Sequence, residues 1–250
     1  MDAPAKTPPR EPFSSDAEIE RWDREWLNYL LQEYPQQLRP YTTYPDRPAL
    51  PEDPVQMLDV SMGTWSRMLF YASGSSIRDK SVMEFGCGCG NLGKLVACYA
   101  RHYLGIDCSP LALSIARLVS PPNAVYLHPN QAEELDRLAG TVDTLISRFF
   151  WIHQNFETGR RVLKAVEPLL KRGGLLYFDF FWPNPREAVG FWQTVDRVRS
   201  PDGPLDDEPS AMYAYSEADV DRLLHDLPFR ILRQQEHGPT QRRYVLAHKI

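Results

Sequence analysis

The stretch from Val82 to Gly93 constrains the fold more than any other part of this chain. Val82 to Phe85 predicts a short strand, and three glycines follow it at alternate positions. Glycine allows a positive φ angle and leaves backbone N–H groups open to a ligand that a Cβ atom would keep away. A helix is expected to begin near Leu92 and to run to Ala100. Strand, glycine loop and helix in this order are typical of a nucleotide-binding turn.

Two classes of cofactor compete for this loop. Gly88, Gly90 and Gly93 match the G-x-G-x-x-G spacing of a dinucleotide site, in which the helix N-terminus holds a pyrophosphate. Glu84 lies two residues before the first glycine, and its carboxylate would repel a pyrophosphate there. The same carboxylate suits a cofactor that carries an ammonium group and a sulfonium. The residues favour a cofactor with an ammonium group and a sulfonium, and they do not exclude a dinucleotide.

At this loop the chain resembles class I S-adenosylmethionine (SAM)-dependent methyltransferases. Their first motif reads apolar-apolar-acid-x-Gly-x-Gly-x-Gly, and the matching positions here are Val82, Met83, Glu84, Gly86, Gly88 and Gly90. The resemblance covers residues 75–250 and implies an α/β fold with a seven-stranded, mostly parallel, doubly wound sheet. It also implies SAM as the cofactor, with S-adenosylhomocysteine (SAH) as the product. An NAD(P)-linked oxidoreductase and a non-catalytic SAM-binding subunit remain as alternatives.

The composition limits the partners of the chain. Its 250 residues, of which 43% are hydrophobic, are enough for one domain with a full core. A net charge of −5 argues against nucleic acid, because proteins that bind it usually carry a basic face. Neither an apolar run of membrane-spanning length nor the apolar core of a signal peptide is present in the sequence. We therefore expect no membrane partner.

The cysteines lie close to the glycine loop, at positions 87, 89, 98 and 108. Cys87 and Cys89 have the spacing of half a zinc site, but the sequence offers no second pair of ligands to complete it. We expect no metal, because small side chains tolerated in a tight loop explain both residues. A reduced, cytoplasmic protein follows from this interpretation.

The region before the glycine loop predicts a tail and a helical extension. Residues 1–14 are rich in proline and in small or charged residues, which is typical of a disordered tail. Ser15 and Glu18 form a capping-box pattern at the start of an amphipathic helix over 16–33. A second helix is expected from Asp53 to Gly74, which completes an N-terminal extension over 15–74. The apolar stripe of the first helix, which we assign to the core, consists of Ile19, Trp22, Trp26 and Leu30.

The remaining chain, expected to be the cofactor-binding domain over 75–250, alternates between strands and helices. A helix is predicted from Glu157 to Gly173-Gly174, and Ser216 is predicted to cap another that ends at Leu224. Two final strands are predicted to form an antiparallel pair. Strands are expected at 82–85, 103–107, 124–127, 142–147, 175–181, 229–236 and 242–248.

The segments that leave strands four and five are expected to border the acceptor, because ligands of an open parallel sheet lie beyond the carboxyl ends of its strands. These segments, 147–154 and 179–182, are rich in aromatic residues that can line a pocket for an apolar or aromatic acceptor. The insert at 183–215 follows them and is predicted to act as the acceptor lid. Its aromatic residues include Phe191, Trp192, Tyr213 and Tyr215.

The acceptor is expected to be a small organic metabolite or natural product. Methyltransferases that modify amino groups of nucleic acids place an Asp/Asn-Pro-Pro-aromatic motif after strand four, where this chain has Ser147-Arg148-Phe149-Phe150. Protein-arginine methyltransferases carry a pair of glutamates in that region, and this sequence has none there. Neither the acceptor atom nor the oligomeric state is indicated by any pattern in the chain.

Two positions outside the loop are expected to hold the nucleoside of the cofactor. Asp107 ends the second strand, 21 residues after Gly86, where a carboxylate can accept hydrogen bonds from both ribose hydroxyls. Gln131 falls where similar methyltransferases have an aspartate that binds the adenine amino group, and its amide oxygen can accept the same bond. The resemblance further implies that a tyrosine of the proline-rich connector, Tyr41 or Tyr44, closes the pocket.

The resemblance thus implies a set of cofactor contacts along one edge of the sheet, namely Tyr44, Glu84, Gly86, Cys87, Gly88, Gly90, Asp107, Cys108, Gln131, Ala132, Arg148 and Phe149. His153 is the predicted general base, since imidazole titrates near neutral pH. The alternative is structural. In that case His153 and Gln154 form hydrogen bonds with the loop backbone ahead of the helix at Glu157.

Overall fold

The computed structural model describes residues 13–32, 38–43, 74–182, 198–206, 211–237 and 242–250. The described part contains all seven predicted strands and the N-terminal helix. Several predicted features lie outside it: the tail up to residue 12, Tyr44, most of the helix expected from Asp53 to Gly74, and the pair Phe191-Trp192.

The helices of the described residues lie close to their predicted positions. In chain order they are α1 (Asp16–Gln32), α2 (Gly74–Ile77), α3 (Gly93–Val96), α4 (Pro110–Val119), α5 (Ala132–Asp136), α6 (Phe156–Val166) and α7 (Glu217–Leu224). Short 3-10 turns lie at Tyr41–Thr43, Trp151–His153 and Glu167–Leu169.

The predicted helix starts are confirmed by their capping hydrogen bonds. The N–H of Glu18 donates to Oγ of Ser15 at 3.2 Å, and the N–H of Ser15 donates to Oε2 of Glu18 at 3.2 Å. Ser216 and Asp219 form the same reciprocal box at the start of α7. Ser109 accepts the N–H of a residue in the first turn of α4. Such caps satisfy N–H groups that a helix leaves without a partner in its first turn.

The strands form one sheet of seven, as the resemblance implies, and a separate pair. They are β1 (Ser81–Phe85), β2 (His102–Ile106), β3 (Ala124–Leu127), β4 (Val142–Ser147), β5 (Leu170–Phe181), β6 (Val198–Arg199), β7 (Met212–Tyr213), β8 (Phe229–His237) and β9 (Arg242–Lys249). The order in the large sheet is β3-β2-β1-β4-β5-β9-β8, and only β9 runs antiparallel to both of its neighbours. The fold prediction is therefore confirmed.

The central strands are buried on both faces, which explains why most of their residues are apolar. Successive residues of a strand point to opposite faces of the sheet. Val82 and Ile146 accordingly pack in one core cluster, whereas Met83 and Leu145 pack in the other. A sheet with two apolar faces needs covering helices on both sides, as in doubly wound folds.

Three predicted boundaries are wrong. The helix expected to run from near Leu92 to Ala100 is α3, which ends at Val96. The helix expected to end at Gly173-Gly174 ends at Val166, and β5 already begins at Leu170. Pro168 lies in the turn between them, and a proline cannot donate the backbone hydrogen bond that would continue the helix. Gly74, expected as the C-terminal cap of a helix, is itself the first residue of α2.

Two leucines offer a matched test of the core. Leu145 in β4 is fully buried, whereas Leu118 on α4 is 82% exposed. We expect Leu145→Ala to lower the free energy of unfolding by ~2–5 kcal/mol, because it removes buried methyl groups and leaves a cavity. Leu118→Ala should change it by less than ~0.5 kcal/mol. Urea unfolding measures both, and equal effects would contradict the assignment of β4 to the centre of the core.

Candidate active site

The sheet order creates a crevice beside the carboxyl end of β1. From β1 the chain continues to β2 and β3 on one side, and then returns to place β4 on the other side. Ligands of open α/β sheets bind at such a switch point, outside the carboxyl ends of the strands. Glu84 lies near the end of β1, Asp107 directly follows β2, and Arg148 directly follows β4. The topology thus brings these three predicted site residues to one edge.

The glycine loop adopts the backbone that its sequence predicts. Gly86, Gly88 and Gly90 have φ angles of +74°, +52° and +74°. A Cβ atom at Gly86 would lie 2.8 Å from Phe150, and one at Gly88 would lie 2.2 Å from the ring of Trp26. Contacts under 3.0 Å force a neighbour to move. The loop therefore needs glycine both for its turn and for the close approach of its neighbours, which fits a cradle for a ligand.

Asp107 fixes the loop to the end of β2. Its Oδ2 accepts the N–H of Gly88 at 2.8 Å, and its Oδ1 accepts the N–H of Ser109 at 2.9 Å. Burial raises the pKa of Asp107 to about 6, against the lowering effect of these two bonds. A carboxylate has about four lone-pair positions, so two bonds leave room for ribose hydroxyls.

Glu84 is buried at the floor of the crevice, with only 3% of its surface exposed. Burial raises its pKa to about 8, while the hydrogen bond from the hydroxyl of Tyr103 and the charge of Arg148 act in the opposite direction. The carboxyl is therefore neutral at pH 7 in this state. A cation placed nearby would favour its ionised form.

The two cysteines among the predicted contacts have buried thiols. Cys87 packs in the core cluster that contains Tyr103, and its backbone N–H donates to the carbonyl of Ile106 at 3.1 Å. Burial raises the pKa of both the Cys87 and the Cys108 thiols, so neither is a thiolate near pH 7. Cys87 can thus contribute to the loop through its backbone, and its side chain belongs to the core.

Gln131 closes a turn beside the N-terminal segment. Its Oε1 accepts the N–H of His128 at 2.8 Å, so the amide oxygen expected to bind adenine already has a partner. Asn130 forms two hydrogen bonds with the backbone of Ser14, at 2.8 and 2.9 Å. Ala132 is the first residue of α5. The role of Gln131 and Ala132 in cofactor binding stays a prediction.

Helix α1 lies across the site, and its aromatic stripe is not simply part of the core. Trp26 covers Gly88, and the ring of Trp22 lies 5.5 Å from the ring of His153, centre to centre. Asp23 accepts hydrogen bonds from the hydroxyl of Ser109 and, at 3.1 Å, from a backbone N–H of α4. Trp26 and Leu30 pack against a core cluster, as predicted, and the half-buried Trp22 and Trp26 also contact the site.

The connector that follows α1 also reaches the glycine loop. Nζ of Lys94, a buried residue of α3, donates to the carbonyl of Arg39 at 3.0 Å. Burial lowers the pKa of Lys94 to about 8. Tyr41, one of the two tyrosines proposed to close the pocket, lies in the adjacent 3-10 turn and is half-buried.

Phe149, directly after β4, has an unusual backbone. Its φ angle is +58°, a left-handed conformation that bulky residues seldom adopt, and its N–H donates to Oδ1 of Asp179 at 2.8 Å. The ring is 40% exposed and lies near two guanidiniums, with Arg148 at 4.4 Å and Arg242 at 4.6 Å. Strained residues of this kind are concentrated at functional sites.

The other aromatic residues of this edge fill the core. Trp151, Phe178 and Phe180 are fully buried and pack against one another, with ring centres 4.9 to 6.1 Å apart. Among the described ones, Phe149 is the large exposed ring at this edge.

His153 lies in a 3-10 turn that directly faces the insert. Its Nδ1 is 3.1 Å from the carbonyl oxygen of Ala211, so Nδ1 carries the proton and Nε2 is the acceptor. Burial lowers the pKa of His153 to about 4, and the charges of Arg242 and Arg21 act in the same direction. The imidazole is therefore neutral at pH 7, which is the form that a general base requires.

Several residues of the site were not singled out from the sequence as parts of it. Tyr103 lies on the strand next to Glu84, two residues before Gly105, which pairs with Glu84 in register. Arg242 begins β9, whose antiparallel direction places its first residue at the carboxyl end of β5. The order of the strands brings both residues to the site, and local sequence patterns do not show that order.

The predicted absence of a metal and of a membrane span can be compared only with the described ranges. In that part of the chain, no group of three His, Cys, Asp or Glu residues is arranged to hold a metal ion. No helix there is long and apolar enough to cross a membrane. The four cysteines are free thiols.

Residues 82–174 match the family described as Methyltransferase domain. This segment contains the glycine loop, Asp107, Gln131 and the edge after β4. This part of the chain is therefore similar to the methyltransferases of that family. The family resemblance inferred from the glycine loop is thereby confirmed.

Curated relatives of the chain match it over part of their own length. A ribosomal protein L11 methyltransferase of Photorhabdus laumondii is 28% identical over 185 residues, which cover 67% of this chain and 58% of the relative. A ubiquinone biosynthesis O-methyltransferase of Erwinia tasmaniensis is 31% identical over 103 residues, which cover 40% and 42%. The chain thus spans about half the length of the curated relatives it matches.

Solved methyltransferase structures share the fold over most of the chain. A SAM-dependent methyltransferase of Anabaena variabilis superposes with a TM-score of 0.57, at 16% identity, and covers 98% of this chain and 99% of its own. Magnesium protoporphyrin IX methyltransferase of Synechocystis, solved with bound SAH, superposes with a TM-score of 0.51, at 17% identity, over 91% and 100%.

The buried Glu84 predicts a pH-dependent stability. Its pKa rises from an ordinary 4.5 to about 8 on folding, so its contribution to stability is complete below pH 4.5 and is lost as pH rises through about 8. Glu84→Gln cannot ionise and keeps an acceptor for the hydroxyl of Tyr103. We expect the variant to gain stability relative to the wild type between about pH 5 and about pH 8.5, by a few kcal/mol.

Urea unfolding at the two pH values measures this difference. The control is Glu20→Gln on α1, where the side chain is 77% exposed and the substitution should change stability by less than ~0.5 kcal/mol. A stability difference between Glu84→Gln and the wild type that is the same at both pH values would contradict a neutral, buried carboxyl.

Proposed function

We propose that this protein transfers the methyl group of SAM to a small organic acceptor and releases SAH. The observation that carries the proposal is the glycine loop with three positive φ angles, held between Glu84 and Asp107 at the switch point of the sheet. The match of residues 82–174 to a methyltransferase domain supports SAM over NAD(P) as the cofactor. We further propose that the protein acts in the cytoplasm, which its free cysteines support.

The residues at the switch point fit the chemical groups of SAM. Gly86, Gly88 and Gly90 place no side chains of their own in the crevice, and Asp107 offers acceptor positions for a ribose. Glu84 can ionise against an ammonium group, and Arg148 can pair with a carboxylate. Contacts from Tyr44, Cys108, Gln131, Ala132 and Phe149 complete the proposed set. When bound, SAM supplies a methyl group on a sulfonium sulfur, which is already a strong electrophile.

The protein mainly has to orient the acceptor and keep water out. His153, at the edge after β4, is the proposed general base. The carbonyl of Ala211 fixes its Nδ1–H, which leaves Nε2 to accept a proton from the acceptor. Burial keeps the imidazole neutral, so it is ready to act as a base across the neutral pH range.

The described part of the insert supports a role as the acceptor lid. Its strands β6 and β7 pair with each other, and the hydroxyl of Tyr215 donates to the carbonyl of Gln154 at 3.0 Å. Ala211, next to β7, is the residue that bonds to His153. The insert is therefore packed on the turn that carries the proposed base. Phe191 and Trp192 of the same insert lie outside the described residues.

The names of the curated relatives leave the acceptor class open, since one refers to a ribosomal protein and the other to ubiquinone biosynthesis. We favour a small molecule, because the site is an enclosed edge covered by α1 and the insert. A non-catalytic SAM-binding subunit would have the same cradle but would transfer no methyl group. Methyl transfer from isotope-labelled SAM to a metabolite extract, followed by mass spectrometry, separates these possibilities.

The cradle can be tested by Gly88→Val and by the matched variant Gly140→Val. Both glycines have a positive φ, but a Cβ at Gly140 meets nothing within 4 Å and lies away from the site. We expect Gly88→Val to abolish SAH binding in isothermal titration, because its Cβ blocks the loop, and Gly140→Val to bind normally. The same titration with NAD should give no heat. Normal SAH binding by Gly88→Val, or tight binding of NAD, would overturn the cofactor assignment.

The proposed base is tested by His153→Ala. Loss of a general base should reduce the rate of methyl transfer to the extract product by ~10²–10⁴ at saturating SAM, while the affinity for SAH stays unchanged. His225→Ala, at an exposed histidine after α7, is the control and should keep the full rate. A lower melting temperature with a nearly unchanged rate would assign His153 a structural role and favour an acceptor that needs no deprotonation.

A further inference from the structure

Two buried tyrosines lie against the glycine loop. Tyr103 of β2 and Tyr126 of β3 are 1% and 3% exposed, and their ring centres lie 5.9 Å apart. A Cβ atom at Gly93 would clash with the hydroxyl of Tyr103, and one at Gly90 would lie 2.7 Å from the hydroxyl oxygen of Tyr126. These two glycines therefore leave room for the tyrosine hydroxyls.

Gly105 leaves room for the rings between the strands. It pairs with Glu84 in register, and a Cβ atom there would lie 2.5 Å from the ring of Tyr126. The position beside Glu84 on β2 thus carries no side chain. Tyr103 lies two residues earlier, on the same face of the strand, and its side chain reaches Glu84 instead.

The two tyrosines differ in their hydrogen-bond partners. The hydroxyl of Tyr103 donates to Oε2 of Glu84, whose side chain is also buried, so this bond is shielded from water. The hydroxyl of Tyr126 is bonded to Oγ of Ser120. Tyr103 therefore acts on the acid of the glycine motif, and Tyr126 has similar burial with a partner elsewhere.

A tyrosine suits a carboxylate that has to bind a cation. Burial raises the pKa of Tyr103 well above its ordinary value, so its side chain stays a neutral hydroxyl. A neutral donor can fix the position of Glu84 without cancelling its negative charge. A lysine in the same place would pair with the carboxylate and repel an ammonium group. The bond occupies one of about four lone-pair positions of a carboxylate and leaves others for a ligand.

We infer that Tyr103 is a positioning residue, which holds Glu84 in the orientation in which its carboxylate binds the ammonium group of SAM. The inference rests on the proposed function and adds a residue to its cofactor site. Hydrogen bonds to charged groups are stronger than those between neutral groups. The bond from Tyr103 therefore favours the ionised form of Glu84, which is the form that a bound cation needs.

Gly93 keeps the space that the hydroxyl of Tyr103 needs. It completes the G-x-G-x-x-G spacing of a dinucleotide site, but it is the first residue of α3 and has a helical backbone. Any residue can adopt that backbone. The space taken by Tyr103 explains the glycine at this position without a pyrophosphate.

The test compares SAH with 5′-methylthioadenosine, which has the nucleoside and the sulfur atom but no amino-acid group. Isothermal titration of the full chain at pH 7 gives the affinity for each ligand. We expect Tyr103→Phe to weaken SAH binding about tenfold and to leave the binding of 5′-methylthioadenosine within about threefold of the wild type. Tyr126→Phe is the matched control, since it removes a buried hydroxyl whose partner is Ser120, and it should leave both affinities within about threefold.

The pH dependence separates positioning from a structural role. Burial raises the pKa of Glu84 to about 8, and the hydrogen bond from Tyr103 lowers it. Without this bond the pKa rises further, so a smaller fraction of the carboxyl is ionised at pH 7 in Tyr103→Phe than in the wild type. At pH 9 the carboxyl ionises more readily in both proteins. The tenfold difference in SAH affinity should therefore shrink between pH 7 and pH 9.

The other titratable groups that act on Glu84 are common to both proteins, so their effects cancel in this comparison. They come from the loop and from the ends of neighbouring strands, and they are Cys87, Asp107, Tyr126 and Arg148.

Gly93→Ala is the second variant, because its Cβ displaces the hydroxyl of Tyr103 without removing it. Alanine is favourable in a helix. This variant should also weaken the binding of SAH more than that of 5′-methylthioadenosine. It decides the question if Tyr103→Phe does not fold.

Three outcomes would overturn the inference while the cofactor assignment stands. The first is SAH binding by Tyr103→Phe within about threefold of the wild type. The second is an equal loss of affinity for both ligands, or an equal loss in Tyr126→Phe. The third is a difference from the wild type that is as large at pH 9 as at pH 7, which would assign Tyr103 a structural role.

A wild type that gives no heat with SAH has a different meaning, because the cofactor assignment then fails and the role of Tyr103 fails with it. If only 5′-methylthioadenosine gives no heat, the control Tyr126→Phe and the comparison of pH 7 with pH 9 decide instead.

Discussion

The glycine loop owes its position to one buried carboxylate. Asp107 accepts the N–H of Gly88 on one side and the N–H of Ser109 on the other, so a single side chain connects the loop to the start of α4. Two further N–H groups of the loop donate to the carbonyl of Ile106, the last residue of β2. Hydrogen bonds thus hold the loop to the end of β2, although the loop follows β1 in sequence. The geometry of the loop therefore depends on the pairing of β1 with β2.

Burial is the main cause of the shifted pKa values in the crevice. The pKa values of Glu84 and Asp107 are raised to about 8 and about 6, and that of Lys94 is lowered to about 8. In each case removal from water is the largest cause, and it favours the neutral form. A ligand with a positive charge beside the two acids would reverse their shifts. The ionised forms of Glu84 and Asp107 are therefore more stable in a complex with such a ligand than in the free protein.

The sequence predicted which elements form the site better than it predicted which residues contact one another there. Glycine spacing and terminal acids located the loop and Asp107, because these features follow from a local turn. The stripe that contains Trp22 and Trp26 showed that one face of α1 is covered, but not that the glycine loop covers it. Arg242 is far along the chain from the strands it joins, on an antiparallel strand. Contacts between residues that are far apart in sequence depend on strand order, which the hydrophobic periodicity of the sequence does not indicate.

Helix α1 touches both halves of the crevice at once. Trp26 rests on Gly88, and Trp22, one turn earlier, rests on His153. A helix of 17 residues moves largely as one body, so any displacement that uncovers Gly88 also withdraws Trp22 from His153. The glycine loop and the surroundings of His153 would consequently be uncovered together.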